Sequence, residues 1–332
     1  MSETLTLRRP DDFHLHLRDG SILDAVVGAS ADFGRVTVMP NLIPPVASAQ
    51  AIAAYRERIE AQRPHFEPLM TLYLTDETTP ATIDAVAPHA KAAKLYPAHA
   101  TTNSASGVTD VTALTPVFER MAERGMLLLI HGEVTDAAVD VFDRETVFID
   151  TVLEPLRQRV PQLTIVLEHL STRIAVDYIK GVDNGLAGTI TAHHLVIDRN
   201  DLLAGGIRPH NYCLPIVKRR GDREALCEAA VSGDTRFFFG SDSAPHTDPK
   251  KLGPCGAAGC FTAPVAMPIL AHVFEAAGRL ERLEGFASSF GAAHYGLAPN
   301  ADTITLVKGD RADHPPIQTA DGPIAVFDPG FP

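Results

Sequence analysis

Met126-Leu127-Leu128-Leu129-Ile130-His131-Gly132-Glu133 is a short apolar run that ends abruptly in a histidine. A continuous run of this length bounded by turn residues reads as a buried β-strand. The same unit recurs along the chain: Phe13 to Leu17, Val36 to Pro40, Leu69 to Leu74, Ala92 to Tyr96, Leu163 to His169, Ala187 to Thr191 and Phe237 to Gly240. The intervening stretches have helical periodicity and end signals. Ser48 to Gln62 opens on a serine cap, Thr112 to Arg124 is followed by Gly125, and Pro80 to Ala90, Arg144 to Arg159 and Ser171 to Lys180 fill three other gaps. Eight strands that each lead into a crossover predict an α/β protein of the (β/α)8 TIM-barrel type. An open doubly wound sheet is the competitor; no Gly-x-Gly-x-x-Gly turn follows the first run, and a count of eight suits closure better.

Composition narrows the function. The chain has 332 residues, 45% of them hydrophobic and 21% charged, an ordinary globular profile that a single barrel can accommodate. The expected organisation is one catalytic domain over 1–332. Its tail from about Gly309, with Pro315, Pro316, Pro323, Pro329 and Pro332, is expected to be irregular. Twenty-nine Lys and Arg against 41 Asp and Glu give a net charge of −12, which argues against nucleic acid or an anionic membrane as partner. The N-terminus lacks an apolar signal core and no stretch reaches the roughly 20 apolar residues of a bilayer span, so a cytoplasmic location is expected. Four cysteines are too few for a disulfide scaffold. Cys255 and Cys260 could be read as a thiolate metal pair, but their Gly-Ala spacer and the lack of a second Cys pair favour a tight structural loop.

Barrel enzymes build their sites at the C-terminal ends of the strands, so the residues ending each run are the candidates. The first run, Asp11-Asp12-Phe13-His14-Leu15-His16-Leu17-Arg18-Asp19-Gly20, sets His14 and His16 on one strand face, half of a metal site. The second ends in Asn41, the fourth carries Lys94, the fifth His131, the sixth His169, and the eighth leads to Asp242. Seen singly, His131 or His169 could be a satisfied core histidine. Lys94 is harder to explain, because an ammonium inside an apolar strand is costly without a partner.

Together these residues resemble the dihydroorotases of the amidohydrolase superfamily, specifically the smaller class II bacterial type. The resemblance is carried by Arg9-Pro10-Asp11-Asp12-Phe13-His14-Leu15-His16-Leu17-Arg18-Asp19-Gly20, Met39-Pro40-Asn41-Leu42, Lys94-Leu95-Tyr96-Pro97, Ala100-Thr101-Thr102-Asn103-Ser104, His131-Gly132-Glu133, Glu168-His169, Arg208-Pro209-His210, Tyr212-Cys213-Leu214-Pro215 and Asp242-Ser243-Ala244-Pro245-His246. It spans the chain to about residue 300. It departs at Ala192-His193-His194, where the family pattern carries a proline, and it covers nothing recognisable beyond Asn300.

What the resemblance implies is a metal-dependent hydrolase that reversibly cyclises N-carbamoyl-L-aspartate to L-dihydroorotate in pyrimidine synthesis. It implies two zinc ions, the more buried held by His14, His16 and Asp242 and the more exposed by His131 and His169. A carbamate on Lys94 (N6-carboxylysine) and a hydroxide would bridge them, which would answer the buried-lysine problem. It further implies that Arg18, Asn41 and His246 grip the substrate carboxylate, that Leu214 and Ala258 contribute backbone contacts, and that the protein is a homodimer. Two zinc ions against the carbamate, Asp242 and the hydroxide leave a positive site for an anionic substrate. On this reading the hydroxide attacks the ring carbonyl and Asp242, as general acid/base, passes the proton to the ring nitrogen.

The segment Ala98-His99-Ala100-Thr101-Thr102-Asn103-Ser104-Ala105-Ser106-Gly107 has nothing to anchor it to a core and ends in a glycine, so it reads as a mobile lid whose Thr101 and Thr102 hydroxyls reach the substrate. Two rival functions remain at this point. A hydantoinase-like or allantoinase-like enzyme would leave the carboxylate receptor unsatisfied, and a catalytically silent assembly partner would have lost ligands that this chain keeps.

Overall fold

Four-residue apolar strands offer no polar face to water, so they persist only where both faces are covered. The computed structural model, which describes residues 3–310 and 312–331, meets that condition with a barrel. After an outlying strand β1 (Thr4–Arg8) come β2 (Asp11–Leu15), β3 (Arg35–Val38), β4 (Glu67–Tyr73), β5 (Ala92–Leu95), β6 (Leu127–Ile130), β7 (Ile165–Leu167), β8 (Leu186–Ile190) and β9 (Phe237–Phe239). These eight form one sheet in chain order, each parallel to its neighbour. The first and last strands meet at a seam, where Asp242 N–H donates to the His14 carbonyl (2.8 Å) and His16 N–H to the Ser243 carbonyl (3.1 Å).

Alternation along β6 shows how the layers fill. Leu127 and Leu129 point into the barrel with Phe13, Met39, Val166 and Phe238, while Leu128 and Ile130 face the surrounding helices. The short helix Phe290–His294 closes the floor, and Ala292 and Tyr295 join the interior cluster. Gly291 lies so close to the Phe13 and Phe238 rings that a Cβ there would collide with both.

Helix ends follow the residue chemistry. The Ser48 hydroxyl accepts from Ala51 N–H at 3.1 Å and opens Ala49–Ala61; Gly125, at φ 65, closes Thr115–Arg124 in the left-handed region. The helix expected over Arg144 to Arg159 is interrupted by a π turn at Ile149–Leu153. Pro155, just beyond it, has no N–H to give to a preceding carbonyl, and the wider turn accommodates its ring.

Strand β10 (Thr303–Val307) pairs antiparallel with β1. Within the tail expected to be irregular from about Gly309, β11 (Ile317–Thr319) forms a hairpin with β12 (Gly322–Ile324). Pro323 is tolerated there because a two-stranded hairpin leaves an edge that needs no donor. Ile324 and Phe327 are buried, so this segment packs onto the barrel wall. No helix among the described residues is long and apolar enough to cross a membrane.

Candidate functional site

The seam carries the first cluster. The Asp12 carboxylate receives Ser241 N–H (2.8 Å), the Ser241 hydroxyl (2.5 Å) and His14 N–H (3.1 Å), locking the ends of β2 and β9 together. That lock sets Asp242 opposite the His pair. His16 Nε2 lies 3.0 Å and His14 Nε2 3.2 Å from Asp242 Oδ1, and the two ring nitrogens are 3.3 Å apart. Asp242 at φ 44, Arg18 at φ 59 and His169 at φ 43 all sit in the left-handed region at or just past strand ends, a strain that a packed scaffold holds where a side chain must be aimed.

A second pair faces the first. His131 Nδ1 and His169 Nε2 are 3.2 Å apart, and His14 and His169 ring centroids are separated by 5.1 Å. Glu133 Oε2 takes the other nitrogen of His131 at 2.9 Å, and Glu168 Oε1 faces His14 Nδ1 at 3.1 Å. The Glu133 carboxylate fixes a proton on the far ring nitrogen of His131 and leaves the near one with its lone pair.

This geometry fits divalent metal. Two ligand nitrogens about 2.0–2.1 Å from a tetrahedral ion are about 3.3–3.4 Å from each other, and the pairs here stand at 3.3 and 3.2 Å. His14, His16 and Asp242 make one buried ligand group and His14, Glu168 and His169 another. Nitrogen and carboxylate donors of this kind suit zinc and its neighbours.

Lys94 is fully buried between the clusters, its Nζ in close contact with Glu168 Oε2 and 4.9 Å from the Tyr96 ring centroid. The structure thus supplies the partner that the sequence did not reveal. Burial still pushes its amine below the ordinary lysine value despite the pull of Glu168. Asp242 behaves oppositely: burial would raise it, but His14 and His16 hold it well below the usual carboxylate range.

The pocket above is lined by His14, His16, Arg18, Asn41, Tyr96, Thr101, Thr102, His131, His169, Leu214, Asp242 and Ala258. Lys94 lies beneath it and His246 behind Arg18. The Arg18 guanidinium reaches His16 Nδ1 (3.3 Å), His246 Nε2 (3.0 Å) and the Pro245 carbonyl (3.3 Å). His246 Nε2 is also 2.9 Å from the Ala258 carbonyl. One ring nitrogen either accepts from the guanidinium or donates to the carbonyl. One choice leaves that Arg18 N–H for a ligand; the other leaves the Ala258 carbonyl with the Thr102 hydroxyl at 3.4 Å.

The loop over the pocket is more firmly tied than its composition suggests. Ala98 N–H donates to Val108 O (3.0 Å) and Val108 N–H to Tyr96 O (2.8 Å), and the buried Ser104 hydroxyl bonds the Thr101 carbonyl (2.6 Å). Gly107 is a packing glycine rather than a hinge, since a Cβ would strike the Tyr96 carbonyl. Asn41 takes part in this tether by donating to the Thr102 carbonyl at 3.0 Å. The expectation of an unanchored loop is therefore corrected, while Thr101 and Thr102 do reach the pocket.

An eight-stranded parallel barrel with two imidazole pairs and a carboxylate at its strand ends defines an amidohydrolase-type hydrolase. The relatives specify it further. The chain is 57% identical over 341 residues to a dihydroorotase from Ruegeria sp. (strain TM1040), an alignment covering 100% of this chain and 98% of that protein. Solved dihydroorotases from Campylobacter jejuni (36% identical) and from Saccharomyces cerevisiae in complex with 5-fluoroorotic acid (34%) each superpose with a TM-score of 0.90, over 98% of this chain and 95% of theirs. No protein-family model matches the chain. It belongs to the dihydroorotase family, enzymes that hydrolyse a cyclic amide in pyrimidine biosynthesis.

Sequence reasoning missed several supporting groups. Glu133 orients His131 and Glu168 lies against His14 and Lys94, yet a glutamate beside a histidine carries no signal until the strand ends are placed. Tyr55, on the helix Ala49–Ala61, donates its hydroxyl to the Arg18 carbonyl (2.7 Å) and so supports the strained residue. Lys251, almost fully buried, donates to the carbonyls of Tyr212, Ala257 and Gly259 and binds the two segments that present Leu214 and Ala258.

Proposed function

We propose that the chain is a class II dihydroorotase, a single barrel domain that interconverts N-carbamoyl-L-aspartate and L-dihydroorotate at two divalent ions, zinc in the first instance. His14, His16 and Asp242 would hold one ion and His131 and His169 the other, with Lys94 as a carbamate joining them. When bound, the ions would supply Lewis acidity for the amide carbonyl and lower the pKa of water at the site. A lysine whose charged form is disfavoured by burial is the chemical state that can take up CO2, which supports the carbamate.

The remaining work falls to side chains. Asp242, held anionic by its histidine neighbours, is placed to accept a proton from the attacking water and return it to the ring nitrogen; in the biosynthetic direction it takes the proton from the carbamoyl nitrogen. Arg18, bonded to His246, meets the substrate carboxylate, and Thr101 and Thr102 offer hydroxyls from the loop that lines the same pocket. Leu214 and Ala258 offer backbone groups. Asn41 acts here through the loop as well as through its amide. The 5-fluoroorotic acid complex of the yeast relative supports a ring carboxylic acid as the ligand class.

The observation that carries this reading is the buried guanidinium beside two converging histidine pairs: it pairs a carboxylate receptor with a metal-type centre inside an acidic protein. The test is dihydroorotate hydrolysis and carbamoyl aspartate cyclisation on one preparation, with metal analysis and a Lys94→Ala variant alongside. Turnover both ways with two ions at this centre supports it; a Lys94→Ala protein that keeps both ions and its rate overturns the carbamate bridge. A cytoplasmic homodimer belongs to the same proposal, tested by fractionation and sedimentation.

A further inference from the structure

We propose that His193, Cys213 and Cys260 form a second metal site, distinct from the reaction centre and built for a thiophilic ion of the zinc type. His193 lies in the helix Ala192–Val196 that follows β8, Cys213 follows the turn Pro209–Asn211, and Cys260 bridges to Ser243 beyond β9. Three separate segments thus deliver a nitrogen and two sulfurs whose ligand atoms all lie within 4.8 Å of one another, with exposures of 0%, 0% and 1%.

His193 is the independent pointer. Both of its ring nitrogens are buried without a hydrogen-bond partner, a state that native structures rarely leave unexplained. Its neighbour His194 shows what a structural histidine looks like: Nδ1 meets the Thr191 hydroxyl at 2.9 Å and Nε2 the Pro215 carbonyl at 3.0 Å. Cys213 donates to the Pro215 carbonyl at 3.3 Å with its sulfur 4.0 Å from His194 Nε2, and Cys260 donates to the His210 carbonyl at 3.4 Å.

Charge and donor type choose the ion. Binding replaces the two thiol protons, which leave to solvent, so a +2 ion with two thiolates and a neutral imidazole is uncharged overall and suits a site closed to water. Lys251 donates to the carbonyls of Tyr212 and Gly259, the residues preceding the two cysteines, and so fixes both segments beside His193. Sulfur donors select zinc-type ions over magnesium, calcium or manganese. Tetrahedral zinc places its sulfur and nitrogen ligands about 3.6–3.8 Å apart, so closure asks for a contraction of about an ångström. The fourth position falls to the Pro215 or His210 carbonyl, both of which lose a thiol donor on ionisation. The site would clamp the segments carrying Leu214 and Ala258 without touching substrate.

The reaction centre offers no sulfur, which makes the test selective. X-ray absorption on the full chain loaded with three equivalents of zinc should show a sulfur shell at about 2.3 Å. The cobalt form should show a thiolate charge-transfer band in the near ultraviolet. Cys213→Ser and Cys260→Ser should each lose the sulfur signal and one equivalent of metal, whereas Cys255→Ser, at an exposed cysteine, should lose neither. Absence of sulfur scattering from the parent protein, which requires no variant to fold, overturns the proposal. So does a sulfur signal abolished only by Cys255→Ser, or a thiol titration of the denatured chain showing Cys213 joined to Cys260 as a disulfide.

Discussion

Arg18→Lys tests the carboxylate receptor without removing its charge. Arg18 is 8% exposed, its guanidinium holds two ring nitrogens and one carbonyl, and it owes its orientation to a left-handed backbone at φ 59 that Tyr55 supports. Lysine meets the same backbone strain, so the substitution changes the head group far more than the fold. An ammonium keeps the attraction but cannot present two parallel N–H groups to a carboxylate. The lost charge-assisted hydrogen bond contributes about 1.5–3 kcal/mol, which at about 1.4 kcal/mol per factor of ten is a roughly 10- to 150-fold fall in kcat/KM. Arg18→Met, which also removes the charge, should fall further. The assay is the change in absorbance as dihydroorotate opens or forms, measured in both directions across substrate concentration, with metal content determined on the same samples. The metals should stay, because Arg18 touches His16 only through its outer nitrogen. Arg18→Lys protein with parental KM and kcat/KM in both directions would refute the receptor and move the carboxylate elsewhere.

Asp242→Asn should reduce turnover by far more than it reduces metal content, since the amide oxygen remains a ligand while the proton acceptor is gone; activity within tenfold of the parent would rule out the proton role. Thr101→Ala combined with Thr102→Val should lower kcat/KM for carbamoyl aspartate by roughly 10²-fold or more with unchanged metal, from hydroxyl contacts of about 1.5–3 kcal/mol each to an anionic group. A parental rate would make the loop a connector only. Glu145 gives a pH signature in stability. Burial raises it from 4.5 to about 7, outweighing Lys218 and the donors from Thr172 and Ser171. A carboxyl raised in the folded state binds its proton more tightly there, so its contribution is present below pH 4.5 and is lost as pH rises to about 7. Denaturation of Glu145→Gln and parent across that window should show the variant gaining relative stability as pH rises; parallel curves would contradict it.

The sequence disclosed those features that one strand's chemistry can carry. A run such as Leu127–Ile130 announces a strand covered on both faces, and eight of them announce closure. His14, His16, His131, His169 and Asp242 stand out because a polar residue ends an apolar run, and the barrel brings those ends to one rim. What stayed hidden depends on pairing across long separations. Asp12 has no assigned role in the first run until Ser241 lies against it, although their contacts close the seam that aims Asp242. Glu168 is invisible as the partner of both Lys94 and His14 for the same reason. Strand β1 was missed because Thr4–Arg8 has one lightly covered face and finds its partner near residue 305.

The loop from Ala98 to Gly107 shows the opposite failure. Its small polar residues read as freedom, yet small residues are also what allows backbone to pack on backbone. Gly107 fits against the Tyr96 carbonyl for want of a Cβ, and Ser104 spends its hydroxyl on the loop's own chain. Composition cannot separate these outcomes because both demand the same residues; the hydrogen-bond partners separate them. The same distinction applies to the histidines after β8, where His194 is fully paired and His193 is not. Two adjacent residues of one type, equally buried, carry different expectations once their ring nitrogens are accounted for, and it is the unpaired one that faces two cysteines.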